Sequence, residues 1–213
     1  GSEEFARLVS APAPGVESRL VLSALLLSTV VIFIAELGDK SQLMAMTFAT
    51  RYRTRDVLIG ITAATAVVHL ASVGIGFWIG EAFSDYQGWI SIGAGIAFIG
   101  FALWTLRGDE LTEDEAEKAK RSTGKALLAV GVAFFLAELG DKTMLATITL
   151  ATTENWFGVW IGSTVGMVAA DALAIVAGAV LGKRLPENVI KYGAAAAFAV
   201  FAVLLIVEGA GQV

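Results

Sequence analysis

The sequence predicts an all-α integral membrane protein whose six transmembrane helices form two inverted three-helix repeats. Three observations predict it. Hydrophobic residues fill 56% of the 213 positions and charged ones only 16%, with a mean hydropathy of +0.74, which is too apolar for a soluble domain of this length. Six long apolar segments divide the chain. The stretch 35–41, AELGDKS, returns 102 residues later as 137–143, AELGDKT.

The apolar segments cover 20–50, 57–80, 89–106, 125–152, 156–182 and 189–207. Each approaches the ~20 residues that cross ~30 Å of hydrocarbon at about 1.5 Å per residue. The first is long enough to tilt or break. Its weakest point is Gly38, where helix propensity is lowest and Glu36 and Asp39 stand on either side. Residues 1–18 are polar and lack an apolar core, so they are read as disordered, with Gly1-Ser2 taken as an expression scar. Residues 107–124 form a charged linker. Within it, Thr112 and Glu115 have capping-box spacing, acids come early and bases late, which is the pattern of a short helix with a solvated face. The first repeat then spans 19–106, the second 125–208, and 209–213 is a tail.

Loop charges set an orientation. Arg51, Arg53 and Arg55, five basic residues from Arg107 to Lys125, and Lys183, Arg184 and Lys191 fall on one side, eleven in all. Only Arg7 and Arg19 fall on the other, and Lys40 and Lys142 lie inside the motifs. The positive-inside rule places the eleven in the cytoplasm and both termini outside. Trp78, Trp89, Trp156 and Trp160 then mark the outer interface, and Tyr52, Trp104 and Tyr192 the inner one. The absence of cysteine removes disulfide staples, thiolate metal sites and thiol redox chemistry. The net charge of -5 comes largely from the buried acids and the linker, so it implies no nucleic-acid partner.

The offset of 102 also pairs Gly60 with Gly162, Thr62 with Thr164, Gly80 with Gly182 and His69 with Asp171. Three spans per half is an odd number, so the second half enters the membrane from the opposite face. The two acidic segments can then meet antiparallel, and one site is built from both. Small-residue spacings such as Gly76-x-x-x-Gly80, Gly162-x-x-x-Gly166 and Gly178-x-x-x-Gly182 are read as close helix packing.

An ionisable side chain near a bilayer centre costs roughly 2.5–3.5 kcal/mol on insertion scales, so four of them need a use. Glu36 and Asp39 are three apart, which on a continuous helix puts both on one face, and Glu138 and Asp141 repeat this. Ser41, Thr143 and Gln42 add neutral oxygen. Such hard ligands suit Ca²⁺, Mn²⁺ or Mg²⁺, whereas softer metals want thiolate and more imidazole than the single His69. Four carboxylates (-4) and two lysines (+2) leave -2, the charge of one divalent ion. Burial disfavours uncompensated charge, so the empty site should take up protons, and that competition is a mechanism for cation/proton exchange. Lys40 and Lys142 each follow a motif Glu by four residues, the spacing of a helical ion pair. His69 and Asp171 are further intramembrane ionisable groups, read as a proton relay or as hydrogen-bonded helix contacts.

At the duplicated E-L-G-D-K-[ST] the chain resembles the GDT family of Ca²⁺/Mn²⁺:H⁺ antiporters, whose signature is E-x-G-D-[KR]-[ST] once per half. Glu36, Gly38, Asp39, Lys40 and Ser41 match the first copy, and Glu138, Gly140, Asp141, Lys142 and Thr143 the second. The resemblance implies a six-helix fold of the lysine-exporter superfamily, cation coordination by the motif acids, and proton-coupled export by alternating access. It implies Mn²⁺ or Ca²⁺ as substrate, no prosthetic group, protons and the lipid bilayer as partners, and room for a homo-oligomer. The short chain suggests a bacterial inner membrane, with a Golgi or chloroplast membrane as the alternative.

Two rival readings remain. An intramembrane aspartyl protease uses Gly-x-Gly-Asp, but here Glu36 and Glu138 take the first glycine position and each Asp is followed by lysine. An exporter of a cationic organic solute could share the fold, although four carboxylates fit a bare cation better.

Overall fold

Among the described residues, five helices are long and apolar enough to cross a bilayer: Val16–Glu36, Thr54–Ala82, Ser84–Arg107, Trp156–Ala179 and Asn188–Ala210. They come from a computed structural model that describes residues 15–108, 113, 114, 117, 125–181 and 186–213. Regular structure among the described residues is helical throughout: α1 (Val16–Glu36), α2 (Lys40–Ala49), α3 (Thr54–Ala82), α4 (Gln87–Arg107), α5 (Ala126–Glu138), α6 (Lys142–Leu150), α7 (Trp156–Leu181) and α8 (Glu187–Ala210). A 3₁₀ turn, Ser84–Tyr86, joins α3 to α4.

Two expectations about helix extent change. The helix begins at Val16, behind Gly15 at φ 97°, so the end of the segment read as disordered is helical. The apolar stretch 125–152 does not form one spanning helix. It divides into α5 with 13 residues and α6 with 9, each too short to cross alone. The short helix expected within the linker 107–124 lies largely outside the described residues, although 113, 114 and 117 are helical. Residues 1–14, Gly182, Lys183 and Arg184 lie outside them as well.

Both breaks are made in the same way. Leu37 and Leu139 turn to extended backbone, Gly38 and Gly140 take φ of 76° and 79°, and Asp39 and Asp141 are extended again as they start the next helix. An L-residue in the left-handed region costs roughly 1–2 kcal/mol, which glycine avoids. The two glycines therefore fix where each helix stops.

Packing runs between the halves. α1 lies on α7 and α5 on α3, α2 touches α7 and α6 touches α3, and α4 pairs with α8. The α1–α7 contact is backbone-close, since a Cβ on Gly162 would collide with the Leu25 carbonyl and one on Gly166 would sit 2.5 Å from the Thr29 carbonyl. Gly76 and Gly80 of α3 pass the Ile148 and Thr152 carbonyls in the same manner. Small residues at these positions let helices approach where lipid offers little hydrophobic incentive to associate. The α4–α8 pair is sealed by aromatic rings, Phe98 meeting Phe101, Phe198 and Phe201 at 4.8–5.8 Å. The outward faces carry exposed apolar side chains such as Leu22, Leu26, Val200 and Val203. Trp78 and Trp89 are exposed, whereas Trp160 is half-buried and donates its indole N–H to the Ala66 carbonyl at 2.9 Å.

Candidate functional site

The backbone of the two breaks is exposed at Gly38 and at Leu139 and Gly140, whereas the acidic side chains that flank it are buried. Glu36, Asp39, Glu138 and Asp141 are all buried, as are Ser41, Gln42, Lys142 and Thr143. Lys40 is half-buried. Neither of two surface depressions, of about 350 and 460 Å³, is lined by a motif residue. The acids are occluded in this conformation.

The breaks correct two readings. Glu36 is the last residue of α1 and Asp39 the N-cap of α2, so the pair does not share a face of one helix. Glu138 and Asp141 are split likewise between α5 and α6. The same interruption removes the helical register that would pair Lys40 with Glu36 and Lys142 with Glu138. Lys142 instead reaches across to the other half and forms an ion pair with Asp39.

Each break is closed by a hydroxyl. Ser41 donates to Glu36 and lies 3.4 Å from Asp39, while Thr143 donates to Glu138 at 2.8 Å and lies 3.4 Å from Asp141. Asp141 also accepts from the Thr143 backbone N–H at 3.5 Å, as an N-cap acid does. At the start of α6 a backbone N–H thus faces a carboxylate, where the positive end of the helix dipole favours negative charge. The exposed backbone N–H of each glycine is satisfied four residues on, Gly38 by Gln42 Oε1 at 2.7 Å and Gly140 by Met144 Sδ at 3.2 Å. Met144 escaped the sequence reading, although the offset of 102 pairs it with Gln42.

Gln42 also ties the site to α7, donating to the Ala170 carbonyl at 2.7 Å. The next residue, Asp171, is fully buried, and Glu36, Glu138 and Asp39 all lie within electrostatic range of it. Asp171 thereby joins the cluster as a fifth acid. Both of its oxygens, both ring nitrogens of His69 and Glu36 Oε2 have no hydrogen-bond partner among the described residues. Buried polar groups are nearly always partnered, so five such atoms on three ionisable side chains set these residues apart from the packed core. Among the described residues no three His, Asp or Glu side chains are gathered tightly enough to hold a metal ion.

A family model described as the divalent cation/proton antiporter GDT1 matches residues 24–113 and 126–213. The chain belongs to this family. Membership makes it a membrane transporter rather than an enzyme. A Vibrio cholerae protein named as a candidate manganese exporter is 32% identical over 191 residues, covering 85% of this chain and 90% of the relative. A GDT1-like protein of Synechocystis is 30% identical over 199 residues, covering 86% and 97%. A chloroplastic GDT1-like protein of rice is 32% identical over 199 residues, covering 81% of this chain and 57% of the longer relative. No solved structure matches this GDT1-family chain.

Proposed function

We propose that the protein exports a divalent cation, Mn²⁺ or Ca²⁺, from the cytoplasm in exchange for protons by alternating access. Glu36, Asp39, Glu138 and Asp141 hold the ion at the interface of two inverted repeats, 19–106 and 125–208. The observation that carries this reading is the Lys142–Asp39 pair, which joins the second motif to the first inside the bundle.

The packing supports an inverted arrangement. Exchanging α1 with α5, α2 with α6, α3 with α7 and α4 with α8 turns every inter-half contact named above into another of them. In this reading α5 and α6 together make the sixth crossing, broken as α1 and α2 are. Broken helices whose ends meet at the interface are how carriers expose backbone charge to an ion without exposing it to lipid. The charges of the linker and of the loop after α2 support an orientation with both termini outside. The bacterial relatives favour a bacterial inner membrane, and the chloroplastic ones make an organelle membrane the alternative.

Coupling follows from charge. Four carboxylates and two lysines leave the charge of one divalent ion, and carboxylate and hydroxyl oxygens suit a hard cation. Without the ion, uncompensated carboxylates cannot stay ionised in so dry a site, so protons replace it for the return step. The name of the Vibrio relative favours manganese. Equilibrium dialysis of the purified chain with Mn²⁺ or Ca²⁺ tests the site. One ion should bind per chain with release of protons, and binding that survives substitution of all four acids by their amides rules the site out.

A further inference from the structure

We propose that the Lys142 ammonium is a built-in counter-cation that occupies the cargo's place at Asp39, so that loading requires the metal ion to displace it. This rests on the cation site proposed above.

The geometry is specific. Lys142 and Asp39 belong to different halves, and their side chains are 5% and 0% exposed. Two unpaired charges would be prohibitive at that depth, whereas a contact pair cancels them. Glu36 and Asp141 also lie within electrostatic range of Lys142, so one ammonium stands among three of the four acids assigned to the metal. Ser41 and Thr143 engage one oxygen each of Glu36 and Glu138. This explains why the acids are buried together without forming a metal cage.

Lysine suits the task. Its charge is compact and sits on a flexible four-carbon stem, so it can swing off a carboxylate without moving the backbone; an arginine fork holds a carboxylate in two places. The two motif copies are unequal in this respect. Lys142 is 4% exposed, while Lys40 at the same motif position is half-buried. The repeat therefore supplies two lysines and the fold seats Lys142 deeper. Displaced by a metal ion, Lys142 releases Asp39 as a ligand; returning, it neutralises Asp39 and lets the empty carrier reorient with one fewer proton than the acids alone require.

The test compares the parent chain with Lys142→Gln and Lys142→Arg, with Mn²⁺ as the probe in equilibrium binding and in liposome flux. Removing the competitor should tighten Mn²⁺ binding on the order of tenfold. Lys142→Gln should retain Mn²⁺/Mn²⁺ exchange while losing net Mn²⁺ export. Lys142→Arg, which grips Asp39 harder, should bind Mn²⁺ more weakly than the parent. Simple charge repulsion without displacement leaves Lys142→Arg equal to the parent, and that result overturns the proposal. Unchanged or weaker binding by Lys142→Gln overturns it too, and the arginine variant decides alone if the glutamine variant does not fold. A parent chain that binds no divalent cation removes the cation site itself, and this inference with it.

Discussion

The Thr65 hydroxyl donates to the sulfur of Met167 at 3.3 Å, and the two residues, both fully buried, stand 102 positions apart. That separation is the spacing of the motifs. A residue can touch its own repeat mate only where the axis relating the halves passes nearby. Thr65 and Met167 thus give the proposed inverted arrangement a point that can be probed chemically. Cysteines at both positions, in a chain with no native cysteine, should be joined within one chain by oxidation or a short thiol cross-linker. Failure to cross-link in the folded protein removes the axis from this position.

Loss of any one motif acid should cripple transport. Each carboxylate is buried and either accepts a hydroxyl or pairs with Lys142. Charge-assisted contacts of this kind are worth roughly 1.5–3 kcal/mol, or on the order of 10- to 100-fold in affinity. Glu36→Gln, Asp39→Asn, Glu138→Gln and Asp141→Asn should each lower Mn²⁺ flux in liposomes to that extent while the protein remains extractable. Near-parental flux in any two of them places the site elsewhere.

The two left-handed glycines should be intolerant of a side chain for conformational reasons. A Cβ on Gly140 meets nothing within 4 Å, and one on Gly38 meets only an Ile190 methyl at 3.4 Å, so space is not the obstacle. Gly140→Ala should cost about 1–2 kcal/mol through its φ alone, and Gly140→Asn less, because asparagine visits that region more readily. Thermal unfolding in detergent reads the order Gly, then Asn, then Ala. An alanine variant as stable as the parent contradicts the observed backbone.

Much of this was legible in the residues themselves. Apolar length marked five of the spans, and Gly38 between two acids marked the first break. The equivalent break at Gly140 was equally written in the duplicated motif, although by apolar length the segment 125–152 reads as one helix. Helical spacing misled at Glu36 and Asp39 because a single left-handed residue between them cancels the register. The contacts that assemble the site were not legible at all. Lys142–Asp39 and Gln42–Ala170 join residues more than 100 positions apart and depend on how the halves pack.

Outside the spanning helices, burial and then the charge of Glu208 push the Glu154 carboxyl above its ordinary value. A raised carboxylate favours the folded state while protonated, so its contribution is lost as pH rises through the raised value. Glu154→Gln should remove that decline. The melting temperature of the parent, measured from the acidic side of the carboxylate range to neutrality, should fall relative to that of the variant. Parallel curves for the two proteins rule the coupling out.

The central claim is that a divalent cation and protons share the carboxylates of one site and move in opposite directions. Purified protein in liposomes that contain a pH-sensitive dye tests it when Mn²⁺ or Ca²⁺ is added outside. Cation entry should drive protons out and make the lumen more alkaline, and Asp39→Asn should abolish both signals together. Cation uptake with no change in luminal pH would contradict the account.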